Sequence, residues 1–288
     1  MNAAALPWLT SLLVFFAFPL AGLVVLSLTD QAGNFSIANY ASLADLSSGR
    51  LDVLIRTLRI GVMVILISLC ISVPVAYYLA KIVKSTRVES LILLLVTATF
   101  LAGPLVRTVS WRGILGVHGL INEPLMQLGL IQGPILSLLY GELAMTLALV
   151  YNVFPFLLFT TYLSMKVLDD RIIAAARDLG ASPASAFFRV VLPLASPGVI
   201  TGAVLVFVPT LSAVLEPEIL GGTSSRLMAT AIRDQFFHAR NWPLGAALTV
   251  VLIISGAITL TLVALVTSSI LRFFGHYGLA TGGTLRGK

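Results

Sequence analysis

Six apolar runs, at about 6–28, 53–80, 91–110, 135–163, 195–219 and 245–271, take up most of this 288-residue chain. Each is of the order of the ~20 residues a helix needs to cross the hydrocarbon core of a bilayer. Inside that core every backbone N–H and C=O must be bonded within the protein, which leaves helices or a closed barrel as the only spanning structures. The runs show no polar/apolar alternation and are far longer than the ~10-residue segments of a barrel strand. The chain is therefore expected to be an all-α membrane protein with about six transmembrane helices. Composition agrees: 58% of residues are hydrophobic and 10% charged, against roughly 25% charged in a soluble domain. The first run is too long for a typical signal-peptide core and lacks a basic region ahead of it, so it reads as a retained span. Cys70 is the only cysteine, cannot form an internal disulfide, and reads as a small buried apolar residue.

Charge gives the orientation. With six crossings, the loops 81–90 and 164–194 share a side with the tail from Arg272. Together they carry ten Lys/Arg and four Asp/Glu, and so the whole net charge of +6; the rest of the chain holds eight of each. The first of these loops alone has Lys81, Lys84 and Arg87. Basic residues near span ends mark the cytoplasmic side, which places both termini and the 164–194 loop in the cytoplasm. The basic excess is then an orientation signal and implies no nucleic-acid partner. The partition of the chain follows: residues 1–52 as first helix and outer loop, 53–272 as the core membrane domain, and 273–288 as a cytoplasmic tail. On the opposite side, short helices are expected around Glu123–Leu130, with Trp111 at headgroup level, and after Ser224 or Ser225 as helix caps.

The longest polar interruption is the most informative segment. Asp169 and Asp170 precede a helix over Ile172–Leu179, where carboxylates suit the positive end of the helix dipole. Ala174, Ala175 and Ala176 give that helix a face without bulk, open to close approach by another protein. Asp178 lies near its end, and Gly180 is suited to closing it in a left-handed conformation. Beyond Ala181, Ser182 and Pro183 read as N-cap and first-turn proline of a second helix. That helix presents Phe187, Phe188, Val190 and Val191 and stops at Pro193.

The order of helix, glycine turn, Phe187 and Leu192-Pro193 resembles the coupling loop of permease subunits in type I ABC importers. From Ile173 to Gly222 the similarity extends through L-P-L-A-S-P-G-V-I-T-G and P-T-L-S-A-V-L-E-P-E-I-L-G-G to the spermidine/putrescine group of permeases. The resemblance covers about residues 50–272. It implies the type I importer permease fold and a transport subunit that is not an enzyme, located in a bacterial inner membrane and contacting lipid. The partners it implies are a second permease chain, different from this one, two ATPase subunits docked on residues 174–187, and a periplasmic or tethered binding protein. No cofactor is expected on this chain, since ATP and Mg²⁺ belong to the ATPase. One position departs from the family pattern: Ala174 stands where a glutamate is usual, and Asp178 or Asp170 can supply the charge instead.

Polar residues within apolar runs are costly and face a cavity or a partner helix. Glu142 and Asn152 are ten residues apart, nearly three helical turns, and are expected to share roughly one face. Tyr151 and Phe154 adjoin Asn152; Glu216 and Glu218 bracket Pro217; Arg107 could pair with any of these carboxylates. A path for an organic cation needs carboxylates and aromatic faces, and Glu142, Tyr151, Asn152, Phe154, Glu216 and Glu218 are the candidates. The substrate implied is a polyamine-like cation; aminophosphonates, opines and other small organic solutes are the alternatives. An ATPase-independent six-helix transporter or channel is the rival class, but the repeated broken helices of such folds are not evident.

Other patterns carry no chemistry. Gly282 to Lys288 matches a phosphate-loop spacing but lacks the following helix and Ser/Thr. His118, His238 and His276 have no metal-ligand spacing. Gly198 and Gly202, at small-xxx-small spacing, predict close packing of the fifth run on a neighbour.

Overall fold

A computed structural model of the chain describes residues 13–222 and 225–280. Residues 6–12 of the first run, Ser224, and the tail beyond Ala280 with Arg286 and Lys288 lie outside the described residues. All regular structure among the described residues is helical, apart from an isolated bridge between Thr29 and Phe35.

Three described helices are long and apolar enough to cross a bilayer. The first, α3 (Arg50–Ile82), ends in a π turn over Tyr78–Ile82; the second, α7 (Glu142–Lys166), continues a short turn from Leu136; the third is α13 (Trp242–Ala280). They match the runs expected at 53–80, 135–163 and 245–271. In the described part of the first run a π turn over Leu13–Ala17 leads into a shorter apolar helix, α1 (Phe18–Ser27), and α2 (Ala38–Ala44) follows it.

Two runs are not the single spans the sequence suggested. The run at 91–110 divides into α4 (Thr86–Leu101) and α5 (Pro104–Leu115), bent by 98°. Pro104 has no N–H and its ring disfavours a helical residue before it; Ala102 and Gly103 accordingly have extended ψ angles of 126° and 156°. The run at 195–219 contains α10 (Ser196–Leu211) and, after a break, α11 (Leu215–Leu220). Pro217 cannot donate to the carbonyl of Ala213, so the helical ladder cannot run through unbroken. Before α10 lies α9 (Pro183–Leu194), with a π turn over Phe187–Val191, meeting α10 at 68°.

The core forms around α7, whose main partners are α10 and α3. Ile60, Val64, Met145, Leu149, Leu157, Val206 and Phe207 are buried together between these three helices. Gly198 and Gly202 make the α7–α10 contact possible, as their spacing predicted. A Cβ on Gly202 would sit 2.4 Å from Leu157 Cδ1 and Thr160 Oγ1, and one on Gly198 would sit 2.4 Å from Ser164 Cβ. Direction along the pair follows from these contacts: α10 runs antiparallel to α7. Helix α3 is parallel to α7, since Arg59 meets Glu142 at their starts and Lys81 meets Leu168 at their ends.

The outer surface is apolar. Leu94, Leu95, Ile254, Ile258, Leu262 and Leu265 are each more than half exposed, and only 11% of the most apolar stretch of α13 is buried. A surface of that kind fits lipid or another membrane subunit. Cys70 lies on it: the expected buried thiol is exposed, because its position on α3 turns away from α7.

Two short helices close the end opposite the 164–194 loop. Helix α6 (Asn122–Gln127) lies where one was expected. Trp111 meets the Tyr151 ring edge-on at 5.9 Å, so it packs onto α7. Helix α12 (Met228–Phe237) is not capped by Ser225; its first N–H bonds Thr57 Oγ1 of α3 at 2.9 Å. A cap from 171 residues away leaves no trace in the local sequence.

Candidate functional site

The 164–194 loop folds as the sequence predicts. Helix α8 (Asp170–Asp178) has Asp169 as N-cap, accepting from the Arg171 N–H at 2.9 Å. Gly180 adopts φ +88°, with its N–H on Arg177 O and the Ala181 N–H on Ala176 O. That is the paired closure of a left-handed helix end, which satisfies two otherwise orphaned carbonyls. Ser182 caps the next helix, accepting from the Ser185 N–H at 3.2 Å, with Pro183 in its first turn.

Exposure divides the loop into a presented and an anchored part. Ala174, Ala175, Asp178, Gly180, Ser182 and Pro183 are exposed, Ala176 and Ala181 half-buried, and Leu179 is 90% exposed. An apolar side chain so placed, beside alanines and a glycine, gives a small open patch at this end of the molecule. Phe187, expected to be presented, instead packs inward: its ring meets Tyr77 of α3 at 4.7 Å. Ile173 and Val191 join it against Leu79, Leu158 and Met165. Phe187 therefore fixes the loop to the membrane helices, because one side of so short an amphipathic helix must bury its bulk.

Charges make the same attachment. Lys81 Nζ donates to Leu168 O and to Asp170 Oδ1, both at 2.6 Å. Glu89 of α4 accepts from Lys166 Nζ at 2.6 Å and from the hydroxyl of Tyr162. In sequence these basic residues registered only as orientation signals. Their partners lie 77 to 89 positions away, beyond the reach of any local pattern.

The intramembrane candidates fall into three separate places. Glu142 forms a bidentate pair with Arg59 Nη2, at 2.5 and 2.6 Å, in a half-exposed setting. Asn152 is buried on a different face, so the expected shared face is a correction: ten residues fall short of three turns by about 80° of rotation. Asn152 Nδ2 donates to Glu216 Oε1 at 2.7 Å and lies 3.3 Å from Thr108 Oγ1. Arg107 comes to the same cluster and donates from Nη1 to Asn152 O at 3.4 Å. Both Arg107 and Glu216 are more than nine-tenths buried. Among the described residues Glu216 has no cationic side chain within ion-pair distance, and Arg107 pairs with no carboxylate. Arg107 Nε and Asn152 Oδ1 have no hydrogen-bond partner. Glu218 stands apart, paired with Arg233 of α12. Phe154 packs in the core between the two main clusters, and Tyr151 stacks against Trp111. The sequence reading missed Thr108, Arg59 and Arg233 as partners.

A helical membrane domain built on one central helix, with a tight helical hairpin exposed at one end, is the architecture of an ABC-importer permease subunit. The fold is similar to a bacterial ABC transporter that imports the acidic polysaccharide alginate, with TM-score 0.71, 16% identity and 94% of each chain covered. It is also similar to the MetNI methionine ABC transporter, with TM-score 0.52, 17% identity, and 78% of this chain and 95% of that one covered. In sequence, residues 61–274 match the model of the binding-protein-dependent transport system inner membrane component. The spermidine/putrescine transport system permease protein PotB of Haemophilus influenzae is 35% identical over 83% of this chain and 85% of its own. Its Escherichia coli K12 counterpart is 34% identical over 76% and 78%. The chain belongs to the family of binding-protein-dependent transport system inner membrane components. It is a multi-pass inner-membrane permease subunit of an ABC importer, and its work is transport rather than catalysis.

Proposed function

We propose that this subunit forms half of the translocation path for a small organic cation of polyamine type. The observation that carries the reading is the 35% identity, over most of both chains, to a spermidine/putrescine permease. The local chemistry supports it at one carboxylate. Arg59 neutralises Glu142 and Arg233 neutralises Glu218, whereas Glu216 is buried against Asn152 and Thr108 and, among the described residues, has no ion-pair partner, Arg107 lying in the same cluster but bonding Asn152 instead. A desolvated carboxylate without a counter-charge favours a passing ammonium more than a paired one does.

The partners follow from the same reading. A second, different permease chain completes the path, two ATPase subunits that bind ATP and Mg²⁺ dock on the exposed patch around Ala174, Ala175 and Gly180, and a periplasmic or tethered binding protein delivers solute. Both termini and the 164–194 loop lie in the cytoplasm. Lys81, Lys84 and Arg87 near the end of α3 support that orientation.

The test is uptake by the complete importer in proteoliposomes, with labelled putrescine, spermidine and a zwitterionic aminophosphonate offered in parallel. ATP-dependent polyamine uptake is expected. Uptake of the aminophosphonate alone would move the assignment to a different solute class while leaving the transport role in place.

A further inference from the structure

We propose that Lys81 is the positioning residue through which movement of the 164–194 loop reaches the membrane helices. The proposal rests on that loop being the ATPase docking surface. Lys81 sits in the π turn that ends α3, where the Val83 N–H reaches back five residues to Tyr78 O. Its side chain is 6% exposed, although it carries a charge; that of its partner Asp170 is 83% exposed. A desolvated ammonium needs compensating partners. Both of its partners come from the junction where α7 gives way to α8: Leu168 O and Asp170 Oδ1, at 2.6 Å each. These two flank Asp169, the N-cap of α8. Lys81 therefore holds the start of the coupling helix from both sides.

The same face of α3 holds the other arm of the hairpin. Tyr77, one helical turn before Lys81, meets Phe187 at 4.7 Å. The end of α3 thus grips α8 by charge and α9 by an aromatic contact. From there α3 runs through the core to Arg59, which pairs with Glu142. Lys81 and Arg59 are 22 residues apart, about 33 Å along a helix rising 1.5 Å per residue. A displacement of α8 cannot leave Lys81 behind without stripping a buried ammonium of the one carboxylate it pairs with among the described residues. The inexpensive response is for α3 to move with the loop, and its far end then shifts α7 at Glu142.

Removing Lys81 should break this link at little structural cost. Lys81→Met keeps length and apolar bulk, removes the buried charge itself, and leaves Asp170 in water. Asp170→Lys, at an exposed position, opposes Lys81 with a like charge. The measurement is solute transported per ATP hydrolysed, in proteoliposomes holding the complete importer, with co-purification of the ATPase as the control. Lys81→Met should retain the ATPase and hydrolyse ATP, and Asp170→Lys is read only in complexes that have co-purified with the ATPase; in both the transport ratio falls about tenfold, within the range usual for coupling between sites. Lys81→Arg should restore most of it. A wild-type ratio in both Lys81→Met and Asp170→Lys would overturn the proposal; if Lys81→Met fails to assemble, the Asp170→Lys ratio decides alone. Failure of the wild-type subunit to hold the ATPase would instead sink the docking assignment beneath it.

Discussion

Gly180 allows the strain of a turn to be separated from the loss of a docking surface. Its φ of +88° is a conformation that an L-residue adopts at a cost of about 1–2 kcal/mol, while Asp and Asn visit it more readily than Ala. A Cβ placed there meets no atom of the chain within 4 Å. In the subunit alone, the only penalty of a substitution is therefore the backbone one. By that measure Gly180→Ala should be the more damaging variant, and Gly180→Asp the milder. A carboxylate at the end of α8 adds a dipole penalty of about 0.3–1 kcal/mol, which at most brings the two level.

Docking reverses the order. If an ATPase packs on Leu179, Gly180 and the neighbouring alanines, the methyl of Ala adds little bulk, but the Asp side chain projects a charge into the contact. Gly180→Ala should then lower uptake by no more than the backbone cost, roughly five- to thirtyfold for 1–2 kcal/mol and less if the partner holds the turn. Gly180→Asp should abolish ATPase co-purification while the permease still inserts and melts normally. The assay is pull-down of the ATPase with each tagged variant, beside uptake and the melting temperature of the isolated permease. Equal retention of ATPase by both variants, or a larger loss with Ala, would refute the docking reasoning.

Three other outcomes are expected. A reporter active only in the cytoplasm, fused after Lys84 or Arg171, should be active, and one fused after Asn34 or Arg226 silent; fusion activities in the opposite sense would reverse the orientation. Gly202→Val should destabilise the subunit by about 1–3 kcal/mol or more, because even its Cβ lies 2.4 Å from Leu157 and Thr160; an unchanged melting temperature would contradict the α7–α10 packing. Of the path carboxylates, Glu216→Gln should lower uptake at limiting solute about five- to tenfold, the equivalent of somewhat over 1 kcal/mol. Glu142→Gln, which breaks a half-exposed pair worth about 0–1 kcal/mol, should change it little. Equal effects of the two would mean that burial does not decide which carboxylate the solute meets.

Much of the architecture was legible because its causes are local. Apolar length marked the membrane helices, and the Asp169 cap, Gly180 turn and Ser182-Pro183 start defined the hairpin within a few residues. The 98° bend after Leu101 was also written locally, in Gly103-Pro104, but a mean apolar character over 91–110 hides it. What could not be read is pairing across the chain. Lys81 with Asp170, Glu142 with Arg59 and Met228 with Thr57 are 89, 83 and 171 residues apart, so no window of sequence contains both members.

That limit bears most on the electrostatics of the path. Read in sequence, Glu142, Glu216 and Glu218 are three equivalent negative charges, and a cation path would use all of them alike. In the fold, guanidinium groups from α3 and α12 neutralise two of the three, and the third gains an amide and a hydroxyl in place of a counter-charge. A neutralised pair at a surface contributes little field, because solvent screens what remains. A buried carboxylate beside Asn152 keeps its field and its need for a positive partner. Arg107, buried in the same cluster, meets a backbone carbonyl and an aromatic face and no carboxylate among the described residues. Arg107 and Glu216 both contact Asn152, so their opposite charges share one buried cluster without forming an ion pair. If the solute is the cation proposed above and passes this cluster, it is attracted by Glu216 and repelled by Arg107, a balance that suits transient passage better than tight binding.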